Sequence, residues 1–252
     1  MSGTETEAQR VALVTGASTG IGLAVAERLQ TDGFALAFHT HRDDEDSRQR
    51  FEEAEARGRA VWIVGDVSEA ETPERLVREA VDALGRIDVL VNNAGITVSK
   101  PALELTAEDF DAIFSVDVKG AFLLAVAAAK EMRRRGGGTI VNVTSVHEHV
   151  PRTGFALYAS AKAALGMLTR SLALELAPEI RVNAVAPGAI ATARNVEADE
   201  LKPEIPFGRA GRPEEVAAVV SYLAGEDSGY VTGASILVDG AMAQQIVARP
   251  PE

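Results

Sequence analysis

Seven short apolar runs decide what this chain can become. "RVALVTG", "FALAFHT", "AVWIVGD", "DVLVNNAG", "GTIVNVTS", "IRVNAVAPG" and "SILVDG" are almost unbroken stretches of β-favouring and small apolar residues. A strand without polar alternation needs cover on both faces, which a parallel sheet between two layers of helices supplies. Segments of helical spacing lie between them, such as "IGLAVAERLQTDG" and "PERLVREAVDALG", each with a glycine after its last turn. Strand and helix alternate along the whole chain, and no Pro/Ser-rich linker or short-period repeat interrupts them. The expected fold is therefore α/β: one doubly wound domain over residues 9–247, with a seven-stranded parallel sheet between helix layers. Residues 1–8 and 248–252 read as loose ends. The run "RDDEDSRQRFEEAEARGR" reads as a solvated helix face.

The composition narrows the function. A formal net charge of −12 argues against a nucleic-acid footprint, which needs a basic face. No cysteine is present, which excludes disulfides and thiol chemistry and fits a reducing cytoplasm. "MSGTETEAQR" has no apolar core of a signal peptide, and "GAFLLAVAAA" is too short to span a bilayer before it meets "KEMRRR". A soluble cytoplasmic protein is expected.

The first strand runs into "TGASTGIGLAVAERL", in which Gly16, Gly20 and Gly22 are spaced GxxxGxG. Glycines allow a tight turn and close backbone approach to a phosphate, and a helix start offers free N–H groups with a positive dipole end. Ser18 and Thr19 add hydroxyl donors. The same glycines would also serve a plain strand-to-helix turn, but the strand before and the helix after favour a dinucleotide site of the Rossmann kind. In NAD-preferring sites an acid about 20 residues on binds the ribose 2′-hydroxyl. Here that count reaches Thr40, followed by His41 and Arg42. A guanidinium suits a 2′-phosphate, so NADP(H) is expected over NAD(H). A register shift of one or two residues would instead bring in Asp43, and Arg42 would then only open a surface helix.

"GTIVNVTS" ends on Ser145; Tyr158 and Lys162 follow in "YASAK". Residues four apart share a helix face, so phenol and ammonium can enter one cleft. A tyrosine of ordinary pKa near 10 is a poor base at neutral pH, and a nearby cation favours its phenolate. Tyr158 then becomes an acid/base for a carbonyl or alcohol oxygen, and Ser145 a hydrogen-bond donor to the same oxygen. A lone Tyr-x-x-x-Lys is common by chance, and it gains meaning from Ser145 and the glycine turn.

With "TGASTGIG", "GDV" at 65–67, "NNAG" at 92–95, "VTS" at 143–145, "YASAK" at 158–162 and "PGAIAT" at 187–192 in this order, the chain resembles the short-chain dehydrogenase/reductase family over almost its whole length. The resemblance implies the roles given above to Ser145, Tyr158 and Lys162, with Lys162 also holding the nicotinamide ribose. It implies Ile21 at the cofactor through its backbone and Asp66 and Val67 by the adenine. Asn92 to Gly95, including Asn93 and Ala94, would lie by the adenosine ribose. Pro187, Gly188, Ile190 and Thr192 would lie by the nicotinamide. It also implies a homotetramer and a substrate lid at about 192–210.

One position departs from the family pattern. "VDVKGAF" carries Asp117 where the family's fourth catalytic residue is asparagine. Aspartate keeps the shape and an acceptor oxygen but lacks the N–H donor. A tolerated isostere is expected, with Asp117→Asn changing kcat less than about tenfold, a barrier change below ~1.4 kcal/mol.

For the substrate, "RRRGGGTIVNVTS" resembles 3-oxoacyl-carrier-protein reductases, and "SVHEHVP" and "GAIATARN" resemble glucose 1-dehydrogenases. The leading expectation is an enzyme moving hydride between nicotinamide and a 3-oxoacyl thioester or similar ketone. The alternatives are a sugar or polyol dehydrogenase and a catalytically weakened cofactor-binding sensor. Arg133 to Arg135 would dock an acidic carrier protein or simply end a helix. His147 and His149 flank the site strand without further metal ligands, so no metal is expected.

Overall fold

The computed structural model describes residues 9–193, 195, 198 and 200–244. The ends read from sequence as loose, 1–8 and 248–252, lie outside them, as do four positions of the expected lid (194, 196, 197 and 199). Seven strands form one parallel sheet in the order β3-β2-β1-β4-β5-β6-β7. They are β1 Val11–Val14, β2 Ala35–Thr40, β3 Ala60–Val64, β4 Val89–Asn92, β5 Gly138–Val143, β6 Ile180–Pro187 and β7 Ser235–Val238. The helices are α1 Gly20–Thr31, α2 Glu45–Arg57, α3 Thr72–Leu84, α4 Ala107–Phe114, α5 Ala121–Arg134, α6 Ala156–Leu176 and α7 Pro213–Ala224.

The apolar runs work as expected. Val11 and Leu13 belong to one buried cluster with Leu76, Leu124 and Met132, while Ala12 and Val14 belong to the other with Leu29 and Val220. Alternate residues thus feed opposite layers, and both must be apolar. The charged run forms α2, where only Ser47 and Ala54 are buried.

α4 and α5 join through a π-helical turn, Ser115–Gly120. The resulting 28-residue stretch, Ala107–Arg134, is long and apolar enough to cross a membrane by length and composition, longer than "GAFLLAVAAA" alone suggests. Half of its most apolar window is buried inside the protein, with Leu124, Ala128 and Met132 fully enclosed. It is a core helix.

Strand order reverses between β1 and β4: β1 pairs with β2 on one side and β4 on the other. A crevice opens at such a switch point beyond the carboxyl ends of the strands, where ligands of open α/β sheets bind. The glycine turn after β1, "NNAG" after β4 and Ser145 after β5 all emerge at that edge.

Candidate active site

The crevice is built around the glycine turn. Gly16 and Gly20 have φ of +64° and +54°, a region that glycine enters without penalty. A side chain at Gly22 would overlap the Gly16 carbonyl, so α1 closes directly onto the turn. Thr19 precedes α1 without a side-chain cap, leaving the first N–H groups of α1 facing the crevice for an anion.

Two residues that sequence reasoning missed hold this turn. Thr15 Oγ accepts from the backbone N–H groups of Asn93 and Ala94, both at 2.9 Å. Asn93 returns the contact, donating from Nδ2 to the carbonyls of Thr15 at 2.8 Å and Gly16 at 3.2 Å. His39 is 1% exposed; its Nδ1 accepts from Gly16 N–H at 3.2 Å, and its Nε2 faces the Gly65 carbonyl at 2.9 Å. A carbonyl only accepts, so Nε2 carries the proton. Burial pushes the His39 pKa down to about 4. A histidine inside an apolar strand was the available signal.

Thr192 lies against the turn: a Cβ on Gly20 would stand 3.2 Å from its Cγ2. Gly188 packs against Asp239, and Ile190 is buried beside Gly211. These two form the base of the 187–192 segment. Ser18 and Ile21 are half-buried and Thr19 exposed. Val67 is buried beneath the π turn, its carbonyl close to Gly120. Asp66 Oδ1 accepts from Ser68 N–H at 2.8 Å; burial raises its pKa, but the Ser68 hydrogen bonds outweigh that and hold it below the usual carboxylate range.

At the end of β2 the reading needs one correction. Thr40, expected to face a cofactor, is 1% exposed and spends its hydroxyl inside the protein. It donates to the Arg42 carbonyl at 2.9 Å and accepts from Trp62 Nε1 at 3.0 Å. Thr40 therefore braces the turn, while His41 and Arg42 are the exposed groups. Asp43 is engaged by both prongs of Arg48.

The second half of the site centres on a buried ion pair. Lys162 Nζ lies 2.9 Å from Asp117 Oδ2, with side chains 6% and 0% exposed. Nζ also donates to the Val143 carbonyl at 3.2 Å and stands 5.6 Å from the centre of the Tyr158 ring. Burial alone would lower the Lys162 pKa, but the Asp117 carboxylate, and then Tyr158, outweigh it and hold it above the usual lysine value.

Asp117 is aimed inward by the π turn, a local widening common at functional sites. Its Oδ1 accepts from Ile96 N–H at 2.8 Å. A side chain on Gly95 would lie 3.0 Å from Asp117 Oδ2 and 3.3 Å from Lys162 Nζ, so "NNAG" closes over the pair because it ends in glycine. The acceptor oxygen expected at position 117 is in use, within a distorted helix turn. The direct charge contact to Lys162 is added to this.

Ser145 caps a single 3₁₀ turn, Val146–Glu148, and its Oγ accepts from His147 N–H at 3.2 Å. Its own proton is then available for another oxygen. The His147 ring meets Tyr158 edge-on at 6.1 Å and Phe155 at 5.4 Å. His147 Nδ1 lies 3.0 Å from the Val150 carbonyl, which fixes the proton on Nδ1 and leaves Nε2 an acceptor. Burial lowers the pKa of His147 and favours this neutral form. No cluster of metal-ligating side chains occurs among the described residues.

Comparison with known proteins agrees with this geometry. The sequence profile described as enoyl-(acyl carrier protein) reductase matches residues 16–243. The uncharacterized oxidoreductase YohF of Escherichia coli K12 is 41% identical over 239 residues, covering 92% of this chain and 94% of that protein. Glucose 1-dehydrogenase 2 of Bacillus subtilis is 38% identical over 244 residues, with the same coverage. The crystal structure of acetoin dehydrogenase from Enterobacter cloacae superposes with a TM-score of 0.88 at 43% identity, over 97% of this chain and 98% of that one. Likeness of this extent, on a sheet with the switch-point crevice and its glycine turn, makes the chain a member of the short-chain dehydrogenase/reductase family, an oxidoreductase that uses a nicotinamide dinucleotide on alcohol and carbonyl groups.

Proposed function

We propose that this enzyme interconverts small ketones and secondary alcohols with NADP(H), and that α-hydroxy ketones are its preferred carbonyl class. The observation that carries the reading is the neutral His147 beside Tyr158, with Nδ1 bonded to Val150 and Nε2 left as an acceptor. A hydroxyl next to the reacting carbon can donate to that nitrogen. Tyr158 transfers the proton to or from the reacting oxygen, Ser145 donates a hydrogen bond to it, and Lys162 places a cation 5.6 Å from the centre of the Tyr158 ring. Asp117 keeps that cation in place. Acetoin dehydrogenase from Enterobacter cloacae, at 43% identity, supports the substrate class.

The dinucleotide supplies or accepts the hydride when bound. The glycine turn with Ser18 and Thr19 would hold its phosphates, Asp66 and Val67 its adenine, and Asn93 to Gly95 its adenosine ribose. Lys162 would hold the nicotinamide ribose, near Pro187 to Thr192. The uncapped start of α1 and the tight turn that the positive φ of Gly16 and Gly20 permits fit a bridging phosphate. His41 and Arg42, exposed at the end of β2 while Asp43 is engaged, favour a 2′-phosphate.

The carrier-protein reading loses its support. Arg133 and Arg135 bond the carbonyls of Glu175 and Gly85, and Arg134 pairs with Glu131. They sit just before Gly138, where β5 begins, whereas Ser145 follows its other end. A 3-oxoacyl thioester thus gives way to a small free ketone. A homotetramer fits Phe110, Phe122, Met167 and Leu174, which are exposed on α4, α5 and α6. Light scattering should give four times the chain mass, and a monomer at micromolar concentration would reject this assembly.

The test is a panel of 3-hydroxy-2-butanone, 2-butanone, a 3-oxoacyl thioester and, in the oxidative direction, glucose, followed by nicotinamide absorbance. Highest kcat/KM is expected for 3-hydroxy-2-butanone with NADPH. A tenfold advantage for thioester or glucose overturns the substrate class, and a preference for NADH overturns the cofactor assignment.

A further inference from the structure

The 3₁₀ turn after Ser145 ends on a charged residue that the chemistry above does not use. The Glu148 side chain is 1% exposed. Its Oε1 lies 3.3 Å from Arg170 Nη1 on α6, and its Oε2 accepts from Ser235 Oγ on β7 at 2.9 Å. His149 Nε2 stands 3.8 Å from Oε2 and 3.3 Å from Ser235 Oγ. A buried carboxylate is tolerated only with such partners. The backbone ties it to the catalytic serine as well, because Glu148 N–H donates to the Ser145 carbonyl at 2.8 Å.

The seat of this side chain is a missing one. A Cβ on Gly166 would stand 2.7 Å from Glu148 Cγ and closer still to its carboxyl group. Gly166 and Arg170 follow Tyr158 and Lys162 at four-residue intervals, so all four lie along one face of α6. Glu148 therefore lodges on the catalytic face of that helix, one turn beyond Lys162, while its own backbone carries Ser145.

We infer that Glu148 is a positioning residue: seated in the gap at Gly166 and held by Arg170 and Ser235, it sets the distance between Ser145 and the Tyr158–Lys162 face of α6. Filling the gap pushes the serine turn off the helix and misplaces the Ser145 proton relative to the Tyr158 phenol. A displacement of this kind lowers turnover without touching the dinucleotide cradle at the other side of the crevice.

The experiment uses the full-length enzyme with NADPH and 3-hydroxy-2-butanone. Gly166→Ala should lower kcat at least tenfold while KM for the dinucleotide changes less than twofold. Adding Glu148→Asp, one methylene shorter, should restore at least half of that loss on a logarithmic scale. In a Ser145→Ala background, Gly166→Ala should cost less than threefold, because the group it misplaces is already gone; a purely structural defect would cost as much there as in the wild type. Should Gly166→Ala fail to fold, Glu148→Ala serves in both backgrounds, with dinucleotide fluorescence confirming an intact cradle. Unchanged kcat in the folded variants, or equal losses with and without the Ser145 hydroxyl, overturns the inference. Wild-type enzyme that turns over none of the panel would instead reject the proposed reaction.

Discussion

Replacing Asp117 by asparagine probes the buried pair directly. The carboxylate faces two donors, the Ile96 N–H at 2.8 Å and the Lys162 ammonium at 2.9 Å. A carboxamide has one acceptor oxygen and one NH₂, so in either orientation one donor is turned against another. The similar shape that made the exchange look harmless from sequence is not sufficient here. Two unit charges at the observed 2.9 Å attract by about 6 kcal/mol at an effective dielectric near 20, less the desolvation of both ions. Removing one member of such a pair costs about 3–5 kcal/mol. For a chain of this size that is a fall in Tm of about 6–20 °C. The mispositioned ammonium should also lower kcat more than about tenfold, against the smaller change that shape alone implies. Asp117 and Tyr158 raise the pKa of Lys162 against the effect of burial. The contribution to stability is therefore complete below the unfolded lysine value and disappears only as pH rises through the folded one. The wild-type advantage should accordingly be flat from pH 6 to 9. Lys162→Met completes a double-mutant cycle, measured by urea unfolding followed by circular dichroism. The double variant should be at least ~2 kcal/mol more stable than the sum of the single losses predicts, and additivity within about 0.5 kcal/mol would refute the pairing.

Tyr158→Phe should reduce kcat by at least ~10²-fold with dinucleotide affinity nearly unchanged, and more than a tenth of wild-type turnover would remove Tyr158 from the acid/base role. Arg42→Ser should shift the ratio of kcat/KM for NADPH over NADH at least tenfold toward NADH; an unchanged ratio would place the 2′-phosphate elsewhere. His39 stays neutral down to about pH 4 in the folded protein, whereas the unfolded chain takes up its proton near 6.5. Folding stability should therefore drop as pH falls through that window, by about 2–3 kcal/mol at pH 4.5. His39→Gln should show a correspondingly shallower loss in denaturant titrations at pH 7 and 4.5, and equal slopes would mean that His39 is not held neutral.

The features legible in the sequence share a physical origin. All seven strands follow from continuous apolar runs: the five inner ones are buried almost throughout, while the edge strands β3 and β7 are mostly half-buried. The glycine turn and Tyr158–Lys162 were readable because local chemistry fixes their spacing: a phosphate cradle needs missing side chains, and one helix face needs residues four apart. Thr40 was misread for a related reason. Counting residues could not tell which side of the strand end the hydroxyl faces, and Trp62, which occupies that hydroxyl, arrives from β3.

What stayed hidden is complementarity between residues far apart in the chain. Thr15 meets Asn93, and Glu148 meets Gly166, Arg170 and Ser235. None of these pairs has a period, and each partner alone reads as ordinary: a threonine after a strand, a glycine in a helix, a glutamate in a loop. Their common trait is a polar side chain at nearly full burial. Burial of that kind is stable only when the partners are supplied, so each such group implies a counterpart that holds two segments in fixed relation. In this enzyme the segments so joined are the ones that carry the candidate site residues. The Asp117 pair links the π turn to α6, Thr15 links β1 to "NNAG", and Glu148 links the serine turn to α6. The candidate site is thus assembled from three strand ends, the π turn and one helix by buried polar contacts, while the apolar core beneath fixes only where those ends emerge.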